Sequence, residues 1–345
     1  MIGYTITRDT TLVVGGRVGG SEFPHGQQHP VPTWELAHVS RREWMPVTST
    51  ETAASFTPTP TEPLPHQPLS ALAQHRMATT SQLHDLLRPN VARQTISPPL
   101  NKLRRKGLVN YTVLPQSNHT RAWYLTGEGA RLTRDFPALR GRPPYPISSA
   151  TAASLKTPHT LTVVRTCLTF AADARRLGHE HGPWDWTPEV SHPTGEGERL
   201  SANAVMHYTV IEGQHRRKLR AFVEVDRSTM SAERLAVKLI EYARLFQYEA
   251  QPLGRRKPVS AGPTWLRWYP VFPRILFILT GASRSRLIDR ISDLQAMVTQ
   301  HPLVAALARE VQLGAVILED IEEHAPSGTV WVPLAGGEPR PWTAL

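Results

Sequence analysis

From Arg88 to Gly127 the chain carries seven basic residues (Arg88, Arg93, Lys102, Arg104, Arg105, Lys106, Arg121) and no acidic one. Charge of one sign on so short a segment must either stay solvated or meet a polyanion. The local pattern adds direction to the charge. Ser97 caps a predicted short helix that ends at Lys106, with Pro98 at the first helical position, where a missing N–H costs nothing. Gly107 suits the left-handed residue after a helix, and Leu108 packs back. Val109–Leu114 and Arg121–Leu125 read as strands joined by the polar Pro115–Thr120.

Upstream, Leu69, Leu72 and Ala73 form one apolar face that ends near His75. Thr79 and Gln82 form a capping box that opens a second helix through Leu83, Leu86 and Leu87, and Arg88-Pro89-Asn90 breaks it. Three helices and a hairpin predict a winged helix-turn-helix over 68–135, whose third helix enters a major groove. Gln94, Thr95, Ser97 and Asn101 are the polar types that read base edges. Arg93, Lys102, Arg104, Arg105 and Lys106 suit phosphates, and His119 and Arg121 lie on the wing. The competing use of the same surface is a solvated face in a protein contact.

The whole chain supports this direction without proving it. It has 345 residues, a net charge of +10 and room for two domains with tails. Residues 1–67 have no sustained period, and Thr57-Pro58-Thr59-Pro60 typifies a segment that cannot bury enough to order itself. They read as a flexible arm with one local strand at Thr11–Val14, and Met45 is an alternative start. Residues 136–154 are rich in Gly, Pro and Ser and read as a linker. The lone Cys167 excludes an internal disulfide and a cysteine-rich zinc site, and fits the cytoplasm. No apolar run is long enough to span a membrane.

From 155 to 335 helices and strands alternate, which predicts an α/β domain, α+β for the chain overall, with a mixed sheet. A helix is predicted over Pro158–Leu177. Strands are expected at Trp184–Val190, Asn203–Ile211, Leu219–Val225, Arg274–Thr280, Gln312–Leu318 and Thr329–Pro333, and helices at Ser231–Gln247 and Ser283–Thr299. Trp184, Trp186, Trp265 and Trp268 are expected as core or packing residues, and residues 336–345 form a loose tail. Glu224 and Asp226 lie two apart on a strand, so both face one side and need a counter-charge: a divalent metal, Arg227 or Lys238. His179-Glu180-His181 lacks a third ligand, and Glu319-Asp320-Ile321-Glu322-Glu323 reads as a solvated turn or a counter to basic surface rather than a catalytic site.

The order helix, three strands ending in Glu-x-Asp, helix, strand resembles the core of the PD-(D/E)XK nucleases. That resemblance implies magnesium held by an acid on the second strand and by Glu224 on the third, with a lysine polarising the phosphate. Here Asn203 replaces the second-strand acid, Asp226 stands where the motif has lysine, and Lys238 is the displaced candidate. Glu224 and Asn203 would be the metal ligands, with Asp226 assisting and Glu189 as a partial substitute.

Both blocks in this order resemble the replication-relaxation family. The residues concerned are Met77-Ala78-Thr79-Thr80, Leu103 through Leu108, Tyr124-Leu125-Thr126 with Gly129, His159, Phe222 to Thr229, then Lys238-Leu239 and Tyr242. The resemblance covers roughly 68 to 250 and implies DNA work in plasmid replication or maintenance. The preferred reading is a nucleoid- or plasmid-associated protein that binds duplex DNA and carries a degenerate nuclease-like domain. Its partners would be duplex DNA, a second copy of the chain and other replication or maintenance proteins. The rivals are a magnesium-dependent endonuclease or nickase, and a transcriptional repressor.

Overall fold

A computed structural model describes residues 66–345 apart from 116–118, 137–138, 140–145, 148, 196 and 250–261. The sequence-predicted strand at Thr11–Val14 and the arm up to residue 65 lie outside the described residues, and α1 already begins at Gln67, the last residue assigned to that arm. The mixed α/β class expected from the sequence is the class observed, with two sheets.

The first block runs α1 (Gln67–His75), β1 (Met77–Thr79), α2 (Thr80–Leu87), a 3-10 turn (Arg93–Ile96), α3 (Ser97–Arg105), β2 (Val109–Val113), β3 (Arg121–Leu125) and α4 (Gly127–Thr133). Its three strands are antiparallel in the order β1-β3-β2. The capping box forms as expected: Thr79 Oγ1 accepts the Gln82 N–H at 3.1 Å and Gln82 Oε1 accepts the Thr79 N–H at 3.0 Å. Gly107 takes φ 72° after α3, with its N–H on the Arg104 carbonyl and the Leu108 N–H on the Leu103 carbonyl. Ser97, however, does not cap α3. The 3-10 turn runs straight into the helix, so Ser97 is itself helical and lacks the extended backbone that a cap requires.

Gly129 is set by close approach. A Cβ there would meet the Leu108 carbonyl oxygen at 2.0 Å, so α4 can seat against the end of α3 only with glycine. Thr126 completes the joint, with its hydroxyl donating to the Gly107 carbonyl at 2.6 Å and accepting the Gly129 N–H at 3.2 Å.

The second block opens with α5 (Ala150–Leu177), which begins before the predicted start at Pro158 and carries that proline in its interior. Proline reads as a first-turn residue because its lost hydrogen bond is free there; inside a helix it costs about 3 kcal/mol. Tertiary packing supplies the compensation: Thr157 is buried with its hydroxyl on the Met77 sulfur. Then follow β4 (Trp186–Gly195), β5 (Glu198–Glu212), β6 (His215–Asp226), α6 (Ala232–Gln247), β7 (Arg274–Leu279), α7 (Arg284–Gln300), α8 (Pro302–Glu310), β8 (Leu313–Ile317), α9 (Leu318–His324) and β9 (Val332–Pro333). The six strands lie in chain order; β4, β5 and β6 form an antiparallel meander, β6, β7 and β8 are parallel, and β9 is antiparallel. Among the described residues no helix is long and apolar enough to cross a membrane.

One apolar cluster contains Leu69, Leu100 and Trp123 of the first block together with Phe170, Trp186 and Tyr208 of the second. A second cluster fills the other face of the sheet under α6, α7 and α8, built on Phe222, Leu239, Phe277 and Leu294. Trp186 and Trp265 are buried as expected, but Trp268 is 45% exposed. It follows a 3-10 turn (Thr264–Arg267) that buries Trp265 and turns Trp268 outward.

The end of the chain is not loose. Trp342 is 1% exposed, its ring 5.7 Å from Phe170 and 5.1 Å from Tyr208, and Arg340 bridges to Trp331. A single aromatic among Gly and Pro has no period to announce it, which is why the sequence reads as a tail. Trp342→Ala is expected to destabilise the protein by about 3–5 kcal/mol in urea unfolding, the loss typical of a buried large aromatic. A change below about 0.5 kcal/mol would mean that the segment is not part of the core.

Candidate nucleic-acid interface and the carboxylate cluster

The surface of α3 follows from which of its residues go inward. Leu100 and Leu103 are buried, so Asn101, Lys102, Arg104 and Arg105 are left on the outside. Gln94, Ser97, Pro98, Asn101, Arg104 and Arg105 line an open recess of about 840 Å³. Arg93, Thr95, Lys102, Lys106 and His119 are exposed but do not line it. The Thr95 hydroxyl donates to the Ala92 carbonyl at 2.8 Å, so its donor is already used.

The connection from α2 to α3 is held by His84. Its two ring nitrogens lie 2.6 Å from the Val91 carbonyl oxygen and 2.7 Å from an Asp85 carboxylate oxygen. Two acceptors favour the doubly protonated ring, so the Val91 carbonyl first and Asp85 second hold its pKa above the usual histidine value. Tyr111 on β2 ties helix to hairpin: the guanidinium carbons of Arg104 and Arg121 lie 4.7 and 4.5 Å from its ring centroid. Sequence reading missed this residue; its place opposite Trp123, one diagonal step from Arg121 across the hairpin, is the signal that would have found it.

The carboxylates on β6 are arranged differently from the sequence expectation. The β5–β6 pairing ends at Ala204 opposite Val223. One step beyond, the Asn203 side-chain oxygen accepts the Val225 backbone N–H at 2.7 Å, so a side chain takes over from the ladder. Glu224, 2% exposed, sits at this split. It accepts the Tyr242 hydroxyl at 2.8 Å, lies 3.7 Å from Lys238 Nζ and receives a backbone hydrogen bond from Asn203. Lys238 also donates to the Ser201 carbonyl at 2.8 Å and pairs with Glu241 at 3.3 Å.

Asn203, Glu224 and Lys238 are thus brought together. Asp226 is not with them, since it pairs at 2.5 Å with Arg290 of α7. Arg290, buried and absent from the sequence reading, is its counter-ion rather than Arg227; it stands on the same helical face as Leu287 and Leu294. Glu189 turns to Arg76 at 3.4 Å and is half exposed.

The donor set does not fit a divalent ion. The Asn203 oxygen is spent on a backbone N–H, Asp226 is paired to an arginine, and Glu224 alone remains. Burial pushes the Glu224 carboxyl up to about 7, against the opposing pull of Lys238, Tyr242 and Asn203. A metal ligand needs the ionised form. The His179-Glu180-His181 run does not converge either: Glu180 pairs with Arg216, while His179 accepts the Ile211 N–H and His181 meets the His207 carbonyl. Glu319 and Glu322 pair with Arg165, and Asp320 with Arg284.

A carboxyl raised from about 4.5 to about 7 on folding holds its proton more tightly in the native state. Its contribution is therefore complete below about pH 4.5 and is lost as pH rises through 7. Glu224→Gln is expected to remove a stability decline of roughly 3 kcal/mol between pH 4.5 and 8, read by urea unfolding. Parallel pH profiles for the two proteins would refute the assignment.

Comparison with curated proteins and with solved structures finds no match. The family model described as replication-relaxation matches residues 69–257, more than half of the 345 residues, and the chain therefore belongs to the replication-relaxation family.

Proposed function

We propose that the protein binds duplex DNA through a winged helix-turn-helix formed by its first block, with α3 in the major groove and the β2–β3 hairpin as the wing. The observation that carries this reading is the recess on α3, where Gln94, Ser97 and Asn101 stand beside Arg104 and Arg105 with no acidic side chain in the lining. Short amides and hydroxyls can read base edges, while flanking guanidinium groups hold phosphates and set the register. Tyr111 keeps Arg104 and Arg121 at a fixed spacing, so helix and wing meet DNA as one surface.

The second block has the order of a PD-(D/E)XK core: α5, then β4, β5 and β6, then α6 and β7. Its carboxylate cluster supports a scaffold rather than a hydrolase, because the groups that would hold magnesium are engaged with protein partners. A replication-related role follows from the family. In our reading this role is exercised in the cytoplasm, on plasmid or nucleoid DNA. A palindromic footprint would indicate a homodimer and favour a repressor within the same DNA-binding class.

Arg104→Glu with Arg105→Glu is expected to weaken duplex affinity about tenfold or more at moderate salt and to lower the salt slope by roughly two phosphate contacts. Tyr111→Ala, with both arginines retained, is expected to give a smaller loss. Unchanged duplex binding in the double variant would end this reading.

A further inference from the structure

The sheet face that carries Glu224 and Phe222 continues past the cover of α6. Cross-strand partners share a face, so the pairs His207–Arg220, Thr209–Lys218 and Ile211–Arg216 lie on it in sequence. Lys218 and Arg216 are exposed, and Arg220, His207, Thr209 and Ile211 are half-buried. The opposite face at the same level is closed: Met206, Tyr208 and Val210 are buried, and Tyr208 packs against Trp342. The outer half of the β5–β6 hairpin therefore presents one open face with a cation at every second residue of β6, about 7 Å apart. Among the described residues, the acidic group that meets these cations is Glu180, which pairs with Arg216.

At the inner border of this face stands an aromatic group without polar work of its own. Trp268 is 45% exposed, and Leu266 and Val271 beside it are 46% and 73% exposed. Its ring lies 4.8 Å from His192, which is hydrogen-bonded at 2.8 Å to Tyr269 and stacked edge-on against Phe222, the next residue on the face after Arg220. Arg220 is close enough to lower the Tyr269 hydroxyl pKa against the rise that burial imposes. A packed base thus holds Trp268 in place while leaving its ring accessible.

We propose that this face is a second nucleic-acid site and that its ligand is single-stranded. Arg220, Lys218 and Arg216 would follow an extended sugar–phosphate backbone, and Trp268 would stack an unpaired base. Charge complementarity selects a polyanion. The exposed indole selects the single strand, because base faces in a duplex are already stacked. The site is separate from α3, and its residues have no part in the duplex reading above.

The test uses the full chain, fluorescence anisotropy and two labelled probes: an oligothymidine of about twelve nucleotides and a duplex hairpin. Lys218→Glu and Trp268→Ala are each expected to weaken oligothymidine binding at least about fivefold and to leave hairpin binding unchanged. Trp268→Phe keeps a stacking face and is expected to retain most of the affinity, which separates stacking from a packing defect. Arg104→Glu with Arg105→Glu is expected to do the reverse, losing the hairpin and keeping the oligothymidine. The proposal is overturned if the parent protein does not bind oligothymidine, or if neither face variant changes that binding. Equal losses on both probes would also overturn it, by making the face a duplex contact.

Discussion

The bond from the Val225 N–H to the Asn203 side chain decides what the second block can do. At that point the β5–β6 ladder has ended, and an unpaired buried N–H would cost on the order of 1–3 kcal/mol. Asparagine closes the gap because its amide is neutral: an aspartate there would stand beside Glu224 in a dry pocket and add a like charge. The same choice removes a metal ligand. Asn203 is therefore a structural solution at the place where a metal-dependent nuclease would need a carboxylate, and Tyr242 and Lys238 close the remaining access to Glu224.

Asp226 extends the same logic to the end of the strand. Its pairing with Arg290 fixes α7 to the tip of β6, and both partners are buried. Among the described residues the pair leaves Asp226 Oδ1 and Arg290 Nε without hydrogen-bond partners. Such a pair contributes less to net stability than to choosing one arrangement of helix on sheet, since losing either partner strands a charge. Between them, Lys238 and Arg290 hold α6 and α7 to positions two residues apart on one strand, and the second apolar cluster fills the space beneath.

Much of this was legible in the chain because local rules and tertiary needs agreed. The capping box at Thr79 and Gln82, the left-handed Gly107 and the uninterrupted apolar run of β7 each follow from one local cause. The misreadings fall where a distant contact overrides local preference. Pro158 looks like a helix start until Thr157 is seen packed on Met77. Ser97 looks like a cap until the 3-10 turn before it removes the need for one. Trp342 and Trp268 exchange their expected places, one entering the core from a polar tail and the other leaving it from an apolar loop. In the candidate site, periodicity placed Glu224 and Asp226 on one face, but their partners come from helices whose register against the strand no spacing rule supplies.

That exchange of tryptophans bears on how the two faces of the sheet are used. Trp342, Tyr208 and Phe170 seal one face against α5, which also carries the first block through contacts such as Gln82 to the Leu161 carbonyl at 2.9 Å. The first block and its α3 surface thus belong to the sealed side. With that face occupied from Ala204 to Val210 of β5, the outer half of the hairpin has only its other face to offer, and this face carries Arg216, Lys218 and Arg220. A strand with a basic residue at every second position and an uncovered surface gains nothing from a protein core, since burial would strip water from charges that now meet only surface partners such as Glu180. Its charge is best satisfied by water or by a ligand that brings its own anions at a similar spacing. The same desolvation cost that raises the Glu224 pKa inside the sheet keeps these cations on its open face.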